Sequence, residues 1–214
     1  MRKAVQGLLL CALAAGCTAI NPQVGQLETF KQQAAVGNWS TIAATPVLCA
    51  LDSPGCAQLH QIKGDACMRV AAAAAPLERA PDYDCAIEQY DAAIRAAADP
   101  SVDPARIRSQ ELEALQDRRD VSRSRQEAAP LNTRLATLAQ DTISADPGQA
   151  AGYYYLASAL LMQGLSEAPP QACRTLDRAA AALDQASQRP GAAPDAIGQR
   201  RRDINNARTG RCAS

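Results

Sequence analysis

Glycine and proline gather at intervals along this chain of 214 residues, and alanine- and leucine-rich segments lie between them. This regular placement of helix-breaking residues limits the possible folds more than any other feature. No segment alternates polar and apolar residues, and runs of β-branched residues are absent, so strands are not expected. We predict an all-α protein in which neighbouring helices form antiparallel hairpins. The predicted helices are 24–36, 39–50, 56–75, 82–98, 104–127, 131–145, 149–163, 170–188 and 194–208.

The N-terminus has the features of a secretory signal. Arg2 and Lys3 precede a short apolar run that ends in small residues, and this run is too short for a stable membrane-spanning helix. The run ends in LAAGC, which resembles the lipobox of bacterial lipoproteins. The resemblance implies that residues 1–16 are removed and that Cys17 is acylated, with palmitate among its chains. Thr18, in place of Asp, implies sorting to the outer membrane.

These features divide the chain into three parts. Residues 1–16 are the expected signal peptide, residues 17–26 the lipidated tether, and residues 27–214 the helical domain. The expected location is the periplasmic face of the outer membrane, where the lipid holds the protein. The alternative is an ordinary cleaved signal with a chance cysteine.

Six cysteines remain when Cys11 and Cys17 are assigned to the N-terminal segment. An even number in an exported protein favours up to three disulfides, whose connectivity the spacing does not settle. Our preferred hypothesis begins with a bond that closes CALDSPGC over a Pro-Gly turn. The preferred pairs are Cys49–Cys56, Cys67–Cys85 across a helical hairpin, and Cys173–Cys212. The alternative is that some of these cysteines are buried free thiols.

One helical segment carries a recognisable packing pattern. The stretch DYDCAIEQYDAAIRAAADP, residues 82–100, resembles the second helix of a tetratricopeptide (TPR) repeat. Ala86, Tyr90 and Ala93 match that family's small, large and small positions, and their spacing places them on one helical face. The resemblance implies that a neighbouring helix packs closely against this face.

The stretch QAAGYYYLASALLMQG, residues 149–164, resembles the first helix of a TPR hairpin. Tyr153, Leu156, Ala157 and Leu160 occupy the family's packing positions. The small–large–small triplet recurs one helix later, at Ala172, Leu176 and Ala179. The long, highly charged segment 104–127 departs from the family pattern, so we predict an irregular TPR-like stack stapled by disulfides.

The three consecutive tyrosines raise the question of a binding surface. Consecutive helical residues point about 100° apart, so the three rings cannot share one face. The TPR resemblance places Tyr154 on the family's groove-lining position. The implied partner groove consists of Ala151, Tyr154, Ser158, Leu161 and Met162. The alternative is that the tyrosines fill the core between helices.

No catalytic motif is recognisable in the sequence. His60 is the only histidine, and the nucleophile elbow, the dinucleotide fingerprint and the P-loop are all absent. We therefore expect neither an enzyme nor a cofactor. A metal site is not expected either, because there is no C-x-x-C motif. The paired acids Glu111/Glu113 and Asp117/Asp120 lie among arginines and indicate a solvated helix face.

The near-neutral net charge limits the classes of partner that are expected. Without Arg2 and Lys3 the chain carries 20 basic and 22 acidic residues, so no strong field favours nucleic acid. Arg200, Arg201 and Arg202 are expected to lie on a capping helix, with lipid phosphates or an acidic partner as the alternative. The expected function is a lipoprotein scaffold that binds another envelope protein through a helical groove, in secretion, pilus or envelope assembly. The alternative is a small-ligand or cell-wall-binding accessory lipoprotein.

Overall fold

The structure, a computed structural model, describes residues 22–96 and 100–212. This part of the chain contains nine α-helices and no strand. A short 3-10 turn, Pro76–Glu78, joins the third helix to the fourth. The helices are α1 Pro22–Ala35, α2 Trp39–Ala44, α3 Cys56–Ala73, α4 Ala80–Arg95, α5 Pro104–Asp120, α6 Arg125–Ala145, α7 Ala150–Ser166, α8 Gln171–Ser187 and α9 Pro194–Cys212.

The helices form a stack of hairpins. The pairs α3/α4, α5/α6 and α7/α8 pack closely, α4 contacts α5, α6 contacts α7, and α9 closes the stack against α8 and α7. The short helices α1 and α2 cover the other end by packing on α3. Short connections between consecutive helices produce this arrangement, because they leave each helix antiparallel to the one before it.

Close contact inside the first hairpin depends on a small residue facing a large one. Ala86, Tyr90 and Ala93 on α4 are all buried, as the TPR-like pattern predicts. The ring of Tyr90 lies over Gly64 of α3, where an added Cβ would come within 2.6 Å of a ring carbon. A glycine is therefore required at position 64 for the two helices to approach this closely.

The last hairpin, α7/α8, also places a large residue over a small one, with different residues. Leu176 of α8 packs over Gly164 of α7, where an added Cβ would lie 2.8 Å from the leucine side chain. Ala172, Leu176 and Ala179 are buried, again in agreement with the predicted triplet. The two hairpins thus share one packing principle.

Three disulfides join the predicted pairs. Cys49–Cys56 closes the loop before α3, Cys67–Cys85 links α3 to α4, and Cys173–Cys212 links the start of α8 to the end of α9. The last bond closes the longest loop and ties the final helix to the stack.

The predicted helix 39–50 is shorter in the structure. Helix α2 ends at Ala44, and residues 45–50 are not helical because Pro46 disfavours a helical residue before it. The amide of Gln26 binds the backbone of this segment, donating to the carbonyl of Pro46 (2.7 Å) and accepting from the N–H of Leu48 (2.9 Å). The side chain thus takes the place of helical hydrogen bonds.

The predicted helix 104–127 is divided in the structure. Helix α5 ends at Asp120, and α6 begins after Ser124, whose hydroxyl accepts from the N–H of Glu127 at 3.2 Å. The spacing Ser124-x-x-Glu127 is typical of a helix start. Pro130, where we predicted a break, lies inside α6.

The ends of the domain also differ in detail. Helix α1 begins at Pro22, so the last five residues of the predicted tether 17–26 are helical. The signal peptide and Cys17 lie outside the described residues. Within residues 22–96 and 100–212, no helix combines the length and the apolarity needed to span a membrane.

Candidate functional site

The predicted groove on α7 is not an open surface. Ser158 is 0% exposed and Leu161 is buried, whereas Met162 is exposed at 38%. Ala151 and Tyr154 are half-buried. The groove prediction is therefore wrong for Ser158 and Leu161, because α7 is covered on this side by side chains from other helices.

Arg119 is the side chain that occupies the predicted groove. It reaches from the end of α5, is 3% exposed, and donates to the hydroxyl of Ser158 (3.1 Å) and to the side-chain carbonyl of Asn132 on α6 (3.0 Å). Asp120 pairs with the same guanidinium at 2.7 Å. Burial lowers the pKa of Arg119, and the charge of Asp120 opposes this shift. Arg119 therefore joins α5, α6 and α7.

The tyrosines of α7 are covered by arginines that lie later in the chain. The guanidinium of Arg189, in the loop after α8, lies 4.0 Å from the ring centre of Tyr153. Arg200 of α9 lies 5.6 Å from the ring centre of Tyr154 and donates to Gln116 of α5 at 3.2 Å. Tyr155 meets Tyr154 edge to face, with ring centres 5.2 Å apart. All three rings contribute to packing.

The basic cluster at residues 200–202 is divided among contacts within the protein. Arg200 covers Tyr154, Arg201 pairs with Asp184 of α8 at 2.7 Å, and Arg202 donates to Gln199 at 2.6 Å. These contacts agree with the predicted capping role of α9.

The acidic face of α5 is less solvated than the sequence indicates. Glu111 is buried and pairs with Arg134 of α6 at 2.8 Å. Asp117 is half-buried, and burial together with the nearby charges of Glu113 and Asp120 raises its pKa to about 6. Partial desolvation of its carboxylate and the charge of Asp65 also raise the pKa of Glu113, although the residue is exposed. The side chains of Glu113 and Asp117 form no hydrogen bond or ion pair with a described residue.

A wide cleft lies beside α6. Its volume is about 680 Å³, and it lies between α6, the C-terminal turn of α7 and the end of α9. Small and apolar side chains form much of its wall, and Met162 lies exposed at its edge. The lining residues are Arg119, Arg125, Ala128, Ala129, Asn132, Thr133, Ala136, Thr137, Gln140, Met162, Gln163, Leu165, Ser166 and Arg211.

The cleft is positively charged. Three arginines line it, and no aspartate or glutamate lies among the described lining residues. Arg119 is engaged in the network described above, and Arg211 donates to the backbone carbonyl oxygens of Leu165 and Glu167. Arg125 is exposed and forms no hydrogen bond or ion pair with a described residue. Its guanidinium is therefore available to an anionic group at the mouth of the cleft.

The predicted helix boundaries do not indicate this cleft. The prediction placed a helix break at residues 129–130, and that break divides the face that α6 presents as one continuous surface. The capping sequence at Ser124–Glu127 is the signal that indicates the true start of α6, and with it the continuous face.

A second constellation lies at the other end of the molecule. The sulfurs of Cys49 and Cys56 and a ring nitrogen of His60 all lie within 4.8 Å of one another. The Nδ1 atom of His60 is 2.8 Å from Oε1 of Gln89, which is buried on α4. Burial lowers the pKa of His60 and thus favours the neutral imidazole. The Cys56-x-x-x-His60 spacing on α3 was the signal in the sequence.

No protein-family model matches this chain, and neither the curated proteins nor the solved structures contain a match to it.

Proposed function

We propose that this protein is a lipid-anchored scaffold on the periplasmic face of the outer membrane, and that it holds a segment of another envelope protein in the cleft beside α6. The observation that carries the proposal is the cleft itself, because small and apolar side chains form much of its wall, arginines line it and it lies open along a helix. A TPR-like hairpin stack is suited to present such a surface.

The shape of the cleft favours a helix or peptide as its occupant. From Arg125 to Gln140 the cleft follows α6 for about 22 Å, which is the length of four helical turns. Small side chains along α6, such as Ala129, Thr133 and Ala136, permit close approach of a partner backbone. The adaptable side chain of Met162 is suited to an apolar contact at the edge.

The charge of the cleft indicates the chemistry of the occupant. Arg125 pairs with no described residue, and none of the described lining residues is acidic. A segment with one apolar face and a carboxylate near one end would fill the apolar walls and pair with Arg125. We therefore propose an amphipathic helix or an extended peptide with an acidic residue as the partner segment.

Crosslinking in intact cells tests the partner. A photoreactive residue at Thr133 or Met162, both exposed in the cleft, is expected to capture one envelope protein that mass spectrometry identifies. The control probe is at Asn205, which is exposed on α9 and does not line the cleft. Equal capture from Asn205 would contradict the proposal.

A charge reversal tests the basic mouth. Arg125→Glu is expected to reduce capture several-fold and to leave folding intact, because a carboxylate is favourable in the first turn of a helix. The matched control is Arg178→Glu, since Arg178 is also exposed and has no described partner. An equal loss of capture in both variants would show that the mouth of the cleft has no special role.

The second candidate is an accessory lipoprotein that binds a small anionic ligand or a cell-wall fragment. The volume of about 680 Å³ favours it, because clefts of this size hold small molecules. The same probes distinguish the two candidates. Capture of a small adduct, with no protein attached, would support the ligand-binding function.

The proposed anchor has its own test. The variant Cys17→Ser is expected to lose the acyl chains and to move from the membrane fraction to the soluble fraction. Mass spectrometry of the N-terminal peptide measures the acylation. A mature wild-type protein that carries no acyl group would refute the proposed membrane anchor. The proposed role of the cleft would still be tested separately, by the crosslinking.

A further inference from the structure

We propose that Cys49, Cys56 and His60 form a binding site for one Cu(I) ion when the Cys49–Cys56 disulfide is reduced. The three candidate ligand atoms already lie within 4.8 Å of one another. This site is at the α3 end of the molecule, it shares no residue with the cleft beside α6, and it does not depend on the proposed function.

The geometry of α3 brings two of the ligands together. Cys56 is the first residue of α3 and His60 is four residues later, so their side chains lie on the same face, one turn apart. Cys49 belongs to the non-helical segment before the helix. Metal–sulfur bonds of about 2.3 Å require two sulfurs roughly 4 Å apart. Movement of Cys49 alone provides this opening, because Cys56 and His60 are both held on α3.

Gln89 prepares the histidine for metal binding. Its side-chain oxygen lies 2.8 Å from Nδ1 of His60 and accepts the proton of that nitrogen, so Nε2 carries the free lone pair. No described residue donates to Nε2. A histidine whose second nitrogen is held by a buried partner is the usual arrangement in metal sites.

The ligand set favours Cu(I). Thiolates are soft ligands, and Cu(I) binds stably to two or three such atoms. Zn²⁺ prefers four ligands. In the described part of the chain no fourth cysteine, histidine or carboxylate joins the group. Cys56 is buried, whereas Cys49 and His60 are half-buried, so an ion reaches the site from their side.

The chemistry requires a reductant of the dithiol class. The dithiol transfers two electrons and two protons to the disulfide, the S–S bond breaks, two thiols form, and the reductant leaves as its own disulfide. Cu(I) then displaces both thiol protons into solvent. Two Cu–S bonds form, and the neutral imidazole adds a Cu–N bond.

Metal titration of the purified full-length protein tests the proposal. After anaerobic reduction, the wild type is expected to bind one Cu(I) in competition with a chromophoric Cu(I) chelator, and the oxidised protein is expected to bind none. Cys49→Ser combined with Cys56→Ser is expected to abolish this binding. The matched control replaces Cys173 and Cys212 by serine and is expected to retain it.

The histidine has a near-isosteric test. His60→Asn retains a donor to Gln89 and lacks the distal nitrogen, so affinity is expected to fall at least about tenfold. X-ray absorption of the wild-type complex is expected to show two sulfur atoms and one nitrogen, which does not depend on any variant folding.

Several results would overturn the proposal. These are equal binding by the oxidised and reduced protein, unchanged affinity in His60→Asn, or an absorption spectrum with sulfur ligands only. Loss of helical circular dichroism on reduction would also overturn it, since the site requires α3. Retention of Zn²⁺ against equal Cu(I) would refute the assignment of the metal.

Discussion

The α3/α4 hairpin and the α7/α8 hairpin are built on the same rule but obtain their polar contacts differently. In α3/α4, Tyr90 lies over Gly64 and donates to Asp65 of the same hairpin at 2.8 Å. In α7/α8, Leu176 lies over Gly164, and the tyrosines are covered by Arg189 and Arg200 from later in the chain. The first hairpin supplies the hydrogen-bond partner of its own tyrosine, whereas the tyrosines of the last hairpin obtain their polar contacts from residues outside it.

The comparison shows that a sequence pattern for helix packing does not indicate which helix face is exposed for binding. A small residue opposite a large one is a property of two adjacent helices, and it appears in both hairpins. Exposure of the remaining face is decided by distant side chains. Arg119 covers Ser158 in this way, so a position typical of a groove is part of the core.

The largest expected effect separates the two kinds of tyrosine. Tyr90→Ala is expected to lower the free energy of unfolding by about 3–5 kcal/mol, because it leaves a cavity in the core where Tyr90 is 1% exposed. Tyr153→Ala, at a half-buried position, is expected to cost about 1–2 kcal/mol. Denaturant unfolding measures both. Equal losses would contradict the difference between the hairpins.

The dependence of α7 on Arg119 gives the next largest effect. Arg119→Ala removes the donor to Ser158 and Asn132 and is expected to cost about 2–3 kcal/mol. The control is Arg201→Ala, which breaks an exposed pair with Asp184 and is expected to cost below about 0.5 kcal/mol. If both variants unfold at the same denaturant concentration, Arg119 does not hold α7.

The hydroxyl groups test the comparison more finely. Tyr90→Phe leaves the half-buried Asp65 without one of its donors and is expected to cost about 1–2 kcal/mol. Tyr154→Phe loses a contact of 3.5 Å to Arg200 and is expected to cost below about 0.5 kcal/mol. The ranking would be wrong if Tyr154→Phe were the more destabilising of the two.

The smallest expected effect is a dependence on pH. The pKa of Asp117 is raised to about 6 in the folded state, so the folded protein binds a proton more tightly than the unfolded chain does. Stability from this group therefore increases as the pH falls through 6 and levels off below the unfolded pKa. Protonation of His60, whose pKa is lowered, acts in the opposite direction.

The contribution of Asp117 is isolated by comparing variants. The difference in unfolding free energy between wild type and Asp117→Asn is expected to change between pH 7 and pH 5 in favour of the wild type. Asp203→Asn, on α9 and away from Asp117, is the control. A difference independent of pH would show that Asp117 titrates normally.

Much of the fold could be predicted because it rests on local signals. Apolar periodicity and the positions of glycine and proline place most helices, and adjacent antiparallel helices bring Cys67 close to Cys85. The predicted helix boundaries are wrong where tertiary packing outweighs a local signal in the sequence. The helix α6 continues through Pro130, because packing against α5 and α7 stabilises it despite one lost hydrogen bond.

By itself, the sequence determined the helical class, the hairpin order and the small-opposite-large contacts, since each depends on residues near one another along the chain. It favoured the three disulfide pairs, whose connectivity the structure settled. Only the tertiary structure decided which face of α7 is covered, that α6 lines an open cleft, and that Gln89 of α4 holds the ring of His60. These properties depend on side chains from distant helices, and the distance between such groups is set by the packing of the whole stack.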